Sequence, residues 1–507
     1  MSAPERQLEP HGPGLLGLVL RHAAERPAAP ALKDDVEALS YAELSERVRS
    51  LASGFSALGV EPGDRVVLLL PNSADVIACA LACLWLGAAF VPLSLEEPPA
   101  RLDRLVRDCG PAMVVSRDSH GIPGFQCPAE TVSVGCVLAS GRSTPPIAQN
   151  PERDAYLIYT SGTTGQPKGV RVVERAFEAV VIKAAGRLDF DESVRALLVS
   201  SFHFDAAFTN AFPALVAGGL LVVPRRQDLL FLRRFFRAVL EEGINHCGCT
   251  PSYLRMLLSS RHFASLAESQ LTTFGLGGEE CMAADVAALW EVLPGLRVFN
   301  RYGPTETTIE VTVHEISRAD VASGRIPLGV PNEGVDFTIV SDDGEILDGP
   351  DEVGELYIGG AQLMRGYWGD KELTASVLND LIIPGETWYK TGDLVWRDAQ
   401  GRYFYAGRSG DVVKRNGVRI SLNEIVLALR RVEGVSGAAC APTGDDGSLV
   451  IAAFVEARRP LTARDLLSAI SADLPASMLP DQVVIVPSLP MTSSGKVDLP
   501  RLLGDAG

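Results

Sequence analysis

Short apolar runs alternate with amphipathic stretches over the first four hundred residues of this chain of 507. Runs rich in Val, Leu and Ile predict buried strands, and apolar residues three or four positions apart predict helices. The predicted strands are 65–70, 90–93, 113–116, 196–201 and 220–224, and the predicted helices are 73–86, 101–109, 175–185 and 229–242. Because strands and helices alternate, we expect an α/β fold with mostly parallel sheets covered by helices on both faces.

One uncharged stretch, residues 76–93, approaches the length of a membrane span. Gly87 and Pro92 divide it, so we expect a buried helix followed by a short buried strand. The N-terminus mixes Glu, Arg and Pro before any apolar run, which is not the pattern of a secretory signal. Residues 118–152 are rich in Gly, Pro and Ser and predict a loosely structured connection.

The pattern changes after Tyr405. The spacing Ser421-Leu-Asn-Glu424 is that of a capping box and predicts a helix over 422–431. A predicted strand, helix and strand follow at 448–456, 464–473 and 482–487. We therefore predict a large N-terminal domain over 1–406 and a small α+β domain over 407–507. Two glycines in the joining sequence GRSGD suit a hinge, which would make the small domain mobile.

The composition is that of a folded globular protein, with 47% apolar and 21% charged residues. The charge balance is 46 Lys and Arg against 63 Asp and Glu, or −17. Such a surface disfavours nucleic acid and anionic membranes, so we expect neither partner and favour an enzyme acting on a small molecule. Nine cysteines without a CxxC pair predict reduced thiols and a cytoplasmic location.

The strongest local signal is the sequence Tyr159-Thr-Ser-Gly-Thr-Thr-Gly-Gln-Pro-Lys-Gly169, which follows an apolar run. Its glycines allow close backbone approach, and its amides, hydroxyls and lysine suit phosphate oxygens. The residues that we assign to phosphate binding are Thr160, Ser161, Gly162, Thr163, Thr164, Gly165 and Lys168. The sequence 159–169 is not a Walker A loop, because the Gly-Lys-Ser/Thr that this loop requires is missing. A flexible surface loop of this composition is the alternative.

The loop TSGTTGQPKG resembles the phosphate loop of the adenylate-forming superfamily, which includes acyl-CoA synthetases, luciferases and the adenylation domains of nonribosomal peptide synthetases. Other segments similar to motifs of that superfamily occur in its order along nearly the whole chain, at 39–44, 84–93, 300–306, 354–358, 365–367, 389–394, 407–408, 474–480 and 494–496. The resemblance implies that the chain joins a carboxylate to the α-phosphate of ATP and releases pyrophosphate, with ATP and Mg²⁺ as cofactors.

The resemblance also implies roles for single residues of the nucleotide site. Glu306 would hold Mg²⁺, with Thr163 and Thr164 around the phosphates. Tyr302 would stack on adenine, and Asn300 would hydrogen-bond its edge. The same motif adds Gly303 and Thr305 to the nucleotide site.

Three charged residues near the C-terminus complete the implied machinery. Asp393 would bind the ribose hydroxyls, and Arg408 would hold ribose or phosphate. Lys496 would reach in from the small domain and bridge the two anions that must react, so that catalysis is mainly charge neutralisation and alignment. The small domain would then swing about Gly410 or Asp411 to admit a thiol. A surface charge is the alternative for each of these side chains.

The pair Phe204-Asp205 matches amino-acid-activating members, in which the aspartate pairs with the substrate ammonium. A helix cap is the alternative role for Asp205. The family's pocket positions fall on Asp205, Ala206, Thr209, Gly248, Gly275, Gly277, Arg301, Ile309, Glu310 and Lys496. The three glycines predict open space for the substrate side chain. Arg301 would bind a second carboxylate and Glu310 a second amine, or the two would pair with each other.

We therefore expect an amino acid with a polar or charged side chain, including β-amino acids, as the substrate. Only eleven residues follow Lys496, and the sequence has neither a carrier domain nor a condensation module. The expected acceptor is thus the phosphopantetheine thiol of a separate carrier protein, with CoA as the alternative. Two other interpretations are an acyl- or aryl-CoA ligase and a catalytically inactive nucleotide-binding protein.

Overall fold

The computed structural model describes residues 14–97, 99–117, 130–140, 150–161, 167–408, 412–415, 418–443, 450–471, 474, 478–492 and 497–505. The chain forms two compact units. The first comprises residues 1–336 and 358–389, and the second comprises 337–357 and 390–507. The second unit thus includes two segments that the sequence analysis assigns to the large domain. The boundary between residues 406 and 407 stays a prediction.

The described helices have the following bounds. In the first unit they are α1 (Leu15–Glu25), α2 (Tyr41–Ala57), α3 (Ala74–Leu86), α4 (Pro99–Cys109), α5 (Val134–Ser140), α6 (Glu174–Arg187), α7 (Phe208–Val216), α8 (Arg226–Leu230), α9 (Leu232–Glu241), α10 (Pro251–Leu258), α11 (Ala283–Val292), α12 (Arg318–Ser323) and α13 (Lys371–Val377). In the second unit they are α14 (Leu422–Arg430), α15 (Ala463–Ile470) and α16 (Leu499–Asp505). Short 3₁₀ turns cover Asp205–Ala207, Phe263–Glu268 and Thr305–Thr307.

The strands up to residue 315 are β1 (Pro30–Lys33), β2 (Ala38–Ser40), β3 (Arg65–Leu69), β4 (Ala89–Pro92), β5 (Met113–Ser116), β6 (Thr131–Ser133), β7 (Asp154–Ser161), β8 (Pro167–Val173), β9 (Arg195–Leu197), β10 (Leu220–Val222), β11 (His246–Cys249), β12 (Thr273–Gly277), β13 (Arg297–Tyr302) and β14 (Thr312–Glu315). The later strands are β15 (Val335–Val340), β16 (Gly354–Gly360), β17 (Gly366–Tyr367), β18 (Leu378–Asn379), β19 (Trp388–Arg397), β20 (Tyr403–Arg408), β21 (Val412–Arg415), β22 (Val418–Ser421), β23 (Val435–Thr443), β24 (Val450–Ala457) and β25 (Gln482–Val486).

Two large sheets organise the first unit. One has the order β14-β13-β12-β11-β9-β10-β1-β2, and the other has the order β17-β8-β7-β4-β3-β5-β6. In the eight-stranded sheet the inner pairs are parallel, and antiparallel pairs occur at its two ends. The seven-stranded sheet is parallel from β6 to β7 and antiparallel beyond. The predicted α/β class with mostly parallel sheets is confirmed.

Smaller sheets account for the remaining strands. The order β15-β16-β19-β18, with β20 paired to β19, describes a five-stranded sheet. In the second unit, β21 pairs with β22, and β23-β24-β25 form a three-stranded sheet. Apolar side chains from α14, α15 and this sheet, including Ile425, Leu466 and Val455, form the core of the second unit. A small α+β C-terminal domain was predicted, and these elements confirm it.

The uncharged stretch 76–93 folds as its glycine predicts. Ser73 caps α3 by accepting a hydrogen bond from the Val76 N–H, and Gly87 ends the helix with a left-handed φ of 64°. The chain then enters the fully buried strand β4. Of the helices in the described ranges, not one combines the length and apolar character that a bilayer crossing needs.

Two local predictions are wrong. The predicted helix 229–242 is divided at Phe231, whose ψ of 86° is not helical, so that α8 and α9 are separate. The connection 118–152 contains β6 and α5, because Val134 and Val137 bury an apolar face in a segment whose composition predicts a loop.

An aromatic cluster fixes the part of the core that leads to the site. Tyr156 from β7 packs edge-on against Phe177 and Phe208, with ring centroids 5.2 and 5.1 Å away. Phe90 from β4 joins them at 5.7 Å from Tyr156. Because Phe208 begins α7, this packing anchors the 3₁₀ turn Asp205–Ala207 that immediately precedes it.

The helical glycines Gly54 and Gly186 give a matched test of this packing. A Cβ added at Gly54 in α2 would clash with the backbone oxygen of Val137 in α5, whereas no described atom lies within 4 Å of one added at Gly186 in α6. We expect Gly54→Ala to lower the free energy of unfolding by about 2 kcal/mol. We expect Gly186→Ala to raise it by up to about 1 kcal/mol, because alanine favours the helix. Urea unfolding of both variants measures the difference, and shifts of the same sign would contradict the packing of α2 on α5.

Candidate nucleotide and substrate site

Strands β7 and β8, which carry the two ends of the phosphate-loop sequence, form a β-hairpin. Strands β7 and β8 are antiparallel, with Thr160 opposite Lys168 and Ser161 opposite Pro167. The predicted loop residues Gly162, Thr163, Thr164 and Gly165 lie outside the described residues. The hairpin therefore brings the two sides of the loop together and leaves their phosphate contacts as predictions.

Tyr367 links this hairpin to Glu306. The Lys168 Nζ atom lies 5.1 Å from the centroid of the Tyr367 ring. The Tyr367 hydroxyl donates a hydrogen bond of 2.8 Å to Glu306 Oε1. Burial, followed by the charge of Glu306, raises the pKa of Tyr367, so the phenol stays protonated and remains a donor. Lys168, which is assigned to the phosphates, thus lies over the ring of Tyr367, and Glu306, which is assigned to Mg²⁺, accepts from its hydroxyl.

Asp205 is a buried carboxylate of which one oxygen, Oδ2, has no hydrogen-bond partner among the described residues. The Thr305 side chain and the Ala206 N–H hydrogen-bond to the carboxylate. Burial raises the pKa of Asp205 to about 6; the Thr305 and Ala206 hydrogen bonds lower it, and the charge of Glu306 raises it further. Thr305, which the sequence assigns to the nucleotide, thus contacts Asp205, and its predicted contact with the nucleotide stays a prediction.

Tyr156 is a neighbour of Asp205 that the sequence analysis misses. Its hydroxyl is buried and makes no hydrogen bond within the described ranges. Burial and then the charge of Asp205 raise the pKa of Tyr156 far above its usual value. A tyrosine within the apolar run of β7 looks like an ordinary core residue, so the sequence carries no signal for this contact.

The pocket glycines lie side by side at the carboxyl ends of parallel strands. Gly248 of β11 is paired with Gly275 of β12, and Gly277 is paired with Arg301 of β13. A Cβ added at Gly248 would collide with the amide oxygen of Asn210, and one added at Gly275 would lie 3.3 Å from Cδ of Arg301. The glycines were expected to leave space for the substrate. That expectation is wrong at these two positions, because the side chains of Asn210 and Arg301 fill the space.

Arg301 and Glu310 form a buried ion pair. The Arg301 Nε atom lies 3.5 Å from Glu310 Oε2, and the two side chains are 8% and 3% exposed. Arg301 Nη1 is 3.5 Å from the hydroxyl oxygen of Thr209 and 3.4 Å from the amide oxygen of Asn210. Among the described residues, Arg301 Nη2 and both Glu310 carboxylate oxygens have no hydrogen-bond partner. The pair therefore neutralises its charges and leaves hydrogen-bonding capacity unused.

The remaining residues of the 300–310 segment occupy distinct environments. Asn300 is buried, and its Nδ2 donates to the Pro327 oxygen at 2.7 Å, so this nitrogen is already engaged within the protein. Gly303 packs so closely on the next turn that an added Cβ would lie 2.5 Å from the Ile309 oxygen. Tyr302, at the end of β13, is half-buried. Their predicted contacts with adenine stay predictions.

Two of the charged residues predicted near the C-terminus meet within the second unit. Asp393 on β19 faces Arg408 on β20, and Asp393 Oδ1 lies 3.0 Å from Arg408 Nε. The Asp393 N–H also donates to the Thr391 hydroxyl oxygen at 2.9 Å. Lys496, Gly410 and Asp411 lie outside the described residues. The two side chains assigned to ribose are therefore neighbours, and the predicted lysine and hinge stay predictions.

The fold is of the α/β class, and comparison with known proteins specifies the family. The AMP-binding enzyme family matches residues 19–368, and the AMP-binding enzyme C-terminal domain matches residues 426–496. The chain belongs to the AMP-binding enzymes, which are adenylate-forming, AMP-producing ligases. Enzymes of this family use ATP together with Mg²⁺.

Individual relatives include peptide synthetases and a CoA ligase. The chain is 33% identical over 484 residues to the phenyloxazoline synthase MbtB of Mycobacterium sp. (strain MCS), covering 94% of this chain and 41% of MbtB. A four-domain nonribosomal peptide synthetase bound to AMP and glycine gives a TM-score of 0.84 at 27% identity, covering 96% of this chain and 36% of that one. The chain thus spans less than half the length of both proteins.

The o-succinylbenzoate CoA synthetase MenE of Bacillus subtilis, solved with its acyl-adenylate intermediate, has the same fold. Its TM-score is 0.83 at 22% identity, over 96% of this chain and 97% of that one. The mixed α/β architecture with a large N-terminal and a smaller C-terminal domain is therefore shared with a nonribosomal peptide synthetase and with a CoA synthetase.

One residue of the candidate site, Glu306, fits a Mg²⁺ ion that is bound together with a nucleotide. Mg²⁺ in nucleotide sites is commonly held by one or two carboxylates together with phosphate and water oxygens. Glu306 offers one carboxylate whose Oε1 is fixed by the Tyr367 hydroxyl. Within the described residues, no group of three or more His, Cys, Asp or Glu side chains could bind a metal without the nucleotide. Glu306 is thus the carboxylate that would hold the ion with the phosphates.

The buried Arg301–Glu310 pair makes a stability prediction. Glu310→Gln leaves a buried guanidinium without a counter-charge, and we expect a loss of about 3 kcal/mol in the free energy of unfolding. The double substitution Arg301→Met with Glu310→Leu removes both charges, and we expect it to cost less than the sum of the single changes. Glu315→Gln breaks the exposed Arg297–Glu315 pair on the same sheet, and we expect a loss below about 1 kcal/mol. Urea unfolding compares the variants, and equal losses in Glu310→Gln and Glu315→Gln would contradict the burial.

Proposed function

We propose that this chain activates an amino acid with a polar or charged side chain, either an α- or a β-amino acid. It would form aminoacyl-AMP and pyrophosphate from ATP and then transfer the aminoacyl group to the phosphopantetheine thiol of a carrier protein supplied as a separate chain. The proposed location is the cytoplasm, where ATP and reduced thiols are available. The observation that carries the proposal is the buried Oδ2 atom of Asp205, which has no hydrogen-bond partner among the described residues.

An ammonium group is the ligand that this oxygen favours. A buried carboxylate oxygen without a hydrogen bond is costly, and a charge-assisted bond from an ammonium removes that cost. A fatty or aryl acid without an amine would leave the oxygen unpaired. The peptide synthetase structure bound to AMP and glycine supports the same choice, because it matches 96% of this chain at 27% identity.

The unused hydrogen-bonding capacity of Arg301 and Glu310 supports a polar substrate side chain. Arg301 Nη2 and the Glu310 oxygens are buried without partners in the described part of the chain. A wholly apolar side chain would leave these groups unsatisfied, at a cost of about 1–3 kcal/mol for each. A side chain that accepts a hydrogen bond from Arg301, donates one to Glu310, or does both would remove that cost.

The proposed chemistry is two successive transfers. The substrate carboxylate oxygen bonds to the α-phosphorus, the bond from that phosphorus to the bridging oxygen breaks, and pyrophosphate leaves. The thiolate of the carrier then attacks the acyl carbon, and AMP leaves. Bound Mg²⁺ supplies charge neutralisation on the phosphates. In this proposal Lys168 contacts the phosphates, Glu306 holds the ion, Lys496 bridges the carboxylate and α-phosphate, and Asp205 orients the amino group.

A second candidate is an acyl- or aryl-CoA ligase, because MenE shares the fold at a TM-score of 0.83. The two candidates differ in their dependence on Asp205. An amino acid substrate requires the carboxylate of Asp205, whereas a substrate without an amine does not. A catalytically inactive nucleotide-binding protein is the third candidate, and it would catalyse no exchange at all.

An ATP–pyrophosphate exchange screen over α-, β- and D-amino acids and aryl acids decides among these candidates. We expect exchange with a polar amino acid and a loss of about a hundredfold in kcat/KM for Asp205→Asn, because the ammonium loses its buried partner. We also expect Arg301→Ala to change the order of preferred amino acids. Exchange only with acids that lack an amine, at rates insensitive to Asp205→Asn, would establish the second candidate. No exchange with any acid would establish the third.

The pKa of Asp205 predicts a pH dependence. Because burial raises this pKa to about 6, the free enzyme loses the required carboxylate as the pH falls through 6. We expect kcat/KM for the amino acid to rise about tenfold between pH 5 and pH 7 and then level off. Asp205→Asn is the matched control, because it keeps every other titrating group. A variant profile as steep as that of the wild type would assign the dependence to another group.

A further inference from the structure

A strained turn connects the two halves of the candidate site. Thr308 and Ile309 have φ values of 59° and 70°, so two consecutive non-glycine residues adopt the left-handed region. This conformation is especially unfavourable for the β-branched Ile309. The turn lies between Glu306, which is assigned to the metal, and Glu310, which lines the substrate pocket. Such a turn persists only when surrounding contacts hold it.

Gln362 makes contacts at three points of this turn. Its buried side-chain amide nitrogen donates to the backbone carbonyl oxygen of Glu310 at 2.8 Å and lies 3.4 Å from the backbone carbonyl oxygen of Thr307. Its backbone oxygen accepts a hydrogen bond of 2.6 Å from the Thr308 hydroxyl. Asn332 donates to the same Glu310 oxygen at 3.0 Å. The side-chain amide of Gln362 therefore fixes the backbone from which the Glu310 carboxylate projects.

Glu306 is held by other groups. The Tyr367 hydroxyl donates to its carboxylate, and the Met364 N–H donates to its backbone oxygen at 2.8 Å. Neither bond involves the side chain of Gln362. Removal of the Gln362 amide would thus loosen the turn at Glu310 and leave the hydrogen bonds of Glu306 in place.

We propose that Gln362 is a positioning residue for the substrate side chain. By holding the Thr307 and Glu310 carbonyl oxygens, its amide keeps the Thr308–Ile309 turn left-handed. It thereby sets the position of Glu310 against Arg301 in the pocket wall. The proposal rests on the proposed function, since the wall that Gln362 positions is the one that contacts the amino acid side chain.

Exchange kinetics of Gln362→Met test this proposal. Methionine has a similar volume and no donor, so the two hydrogen bonds are lost without opening a large cavity. We expect KM for the amino acid to rise about tenfold, while kcat and KM for MgATP change by less than about twofold. Tyr367→Phe, which loses the bond to Glu306, should show the opposite pattern, with a raised KM for MgATP. Tyr253→Phe loses a bond of 2.7 Å to the Leu229 oxygen and should change none of these constants.

Other outcomes overturn the proposal. An unchanged KM for the amino acid in Gln362→Met, with or without a lower melting temperature, shows that Gln362 only stabilises the fold. A parallel rise in KM for the amino acid and in KM for MgATP shows that Gln362 affects Glu306 as well as Glu310. Gln362→Leu also lacks the donor, and it provides the same test if the methionine variant does not fold. If the wild type activates no amino acid, the proposed function fails, and the same KM comparison is made with the carboxylate that it does activate.

Discussion

The cost of burying charge is the constraint on which the candidate site depends. Asp205, Arg301 and Glu310 all place charged atoms where water does not reach, and each charge must find a partner inside the protein or on a ligand. Arg301 and Glu310 meet this requirement mainly through each other. Asp205 meets it only in part, because Thr305 and Ala206 hydrogen-bond to the carboxylate whereas Oδ2 has no partner within the part of the chain that the structure describes. This oxygen distinguishes Asp205, which we propose as a binding group, from the Arg301–Glu310 pair, whose charges neutralise each other.

The parallel sheet determines where these charges meet. Strands β11, β12 and β13 run in the same direction, so Gly248, Gly275 and Arg301 come together at their carboxyl ends although about 25 residues separate each from the next. The lack of a side chain at Gly275 allows Arg301 to lie across the neighbouring strand. Gly275 therefore makes room for the side chain of Arg301 and Gly248 for that of Asn210, so that these two positions are occupied by the protein's own side chains.

The sequence was informative where the determinants are local. Gly87 and Ser73 define both ends of α3 from neighbouring positions, and the alternation of apolar runs was enough for the α/β class. The motif resemblance identified Glu306, Asp205 and Arg301 as candidate site residues. It could not reveal the contacts made by Tyr367 or Gln362, because these join residues more than fifty positions apart through folding. Nor could it show that Gly275 lies beneath Arg301, since the direction of a side chain depends on the register of paired strands.

The short distance in sequence between Glu306 and Glu310 has a structural consequence. The carboxylate assigned to the metal and the carboxylate assigned to the pocket are only four residues apart, so under this proposal one turn presents them to different ligands. A regular helix would place residues at this spacing on one face. The left-handed conformations of Thr308 and Ile309 break that pattern, and the contacts of Gln362 and Asn332 offset the strain. Backbone strain is thus located where two functions must be separated within a few residues, and the residues that maintain it come from distant parts of the chain.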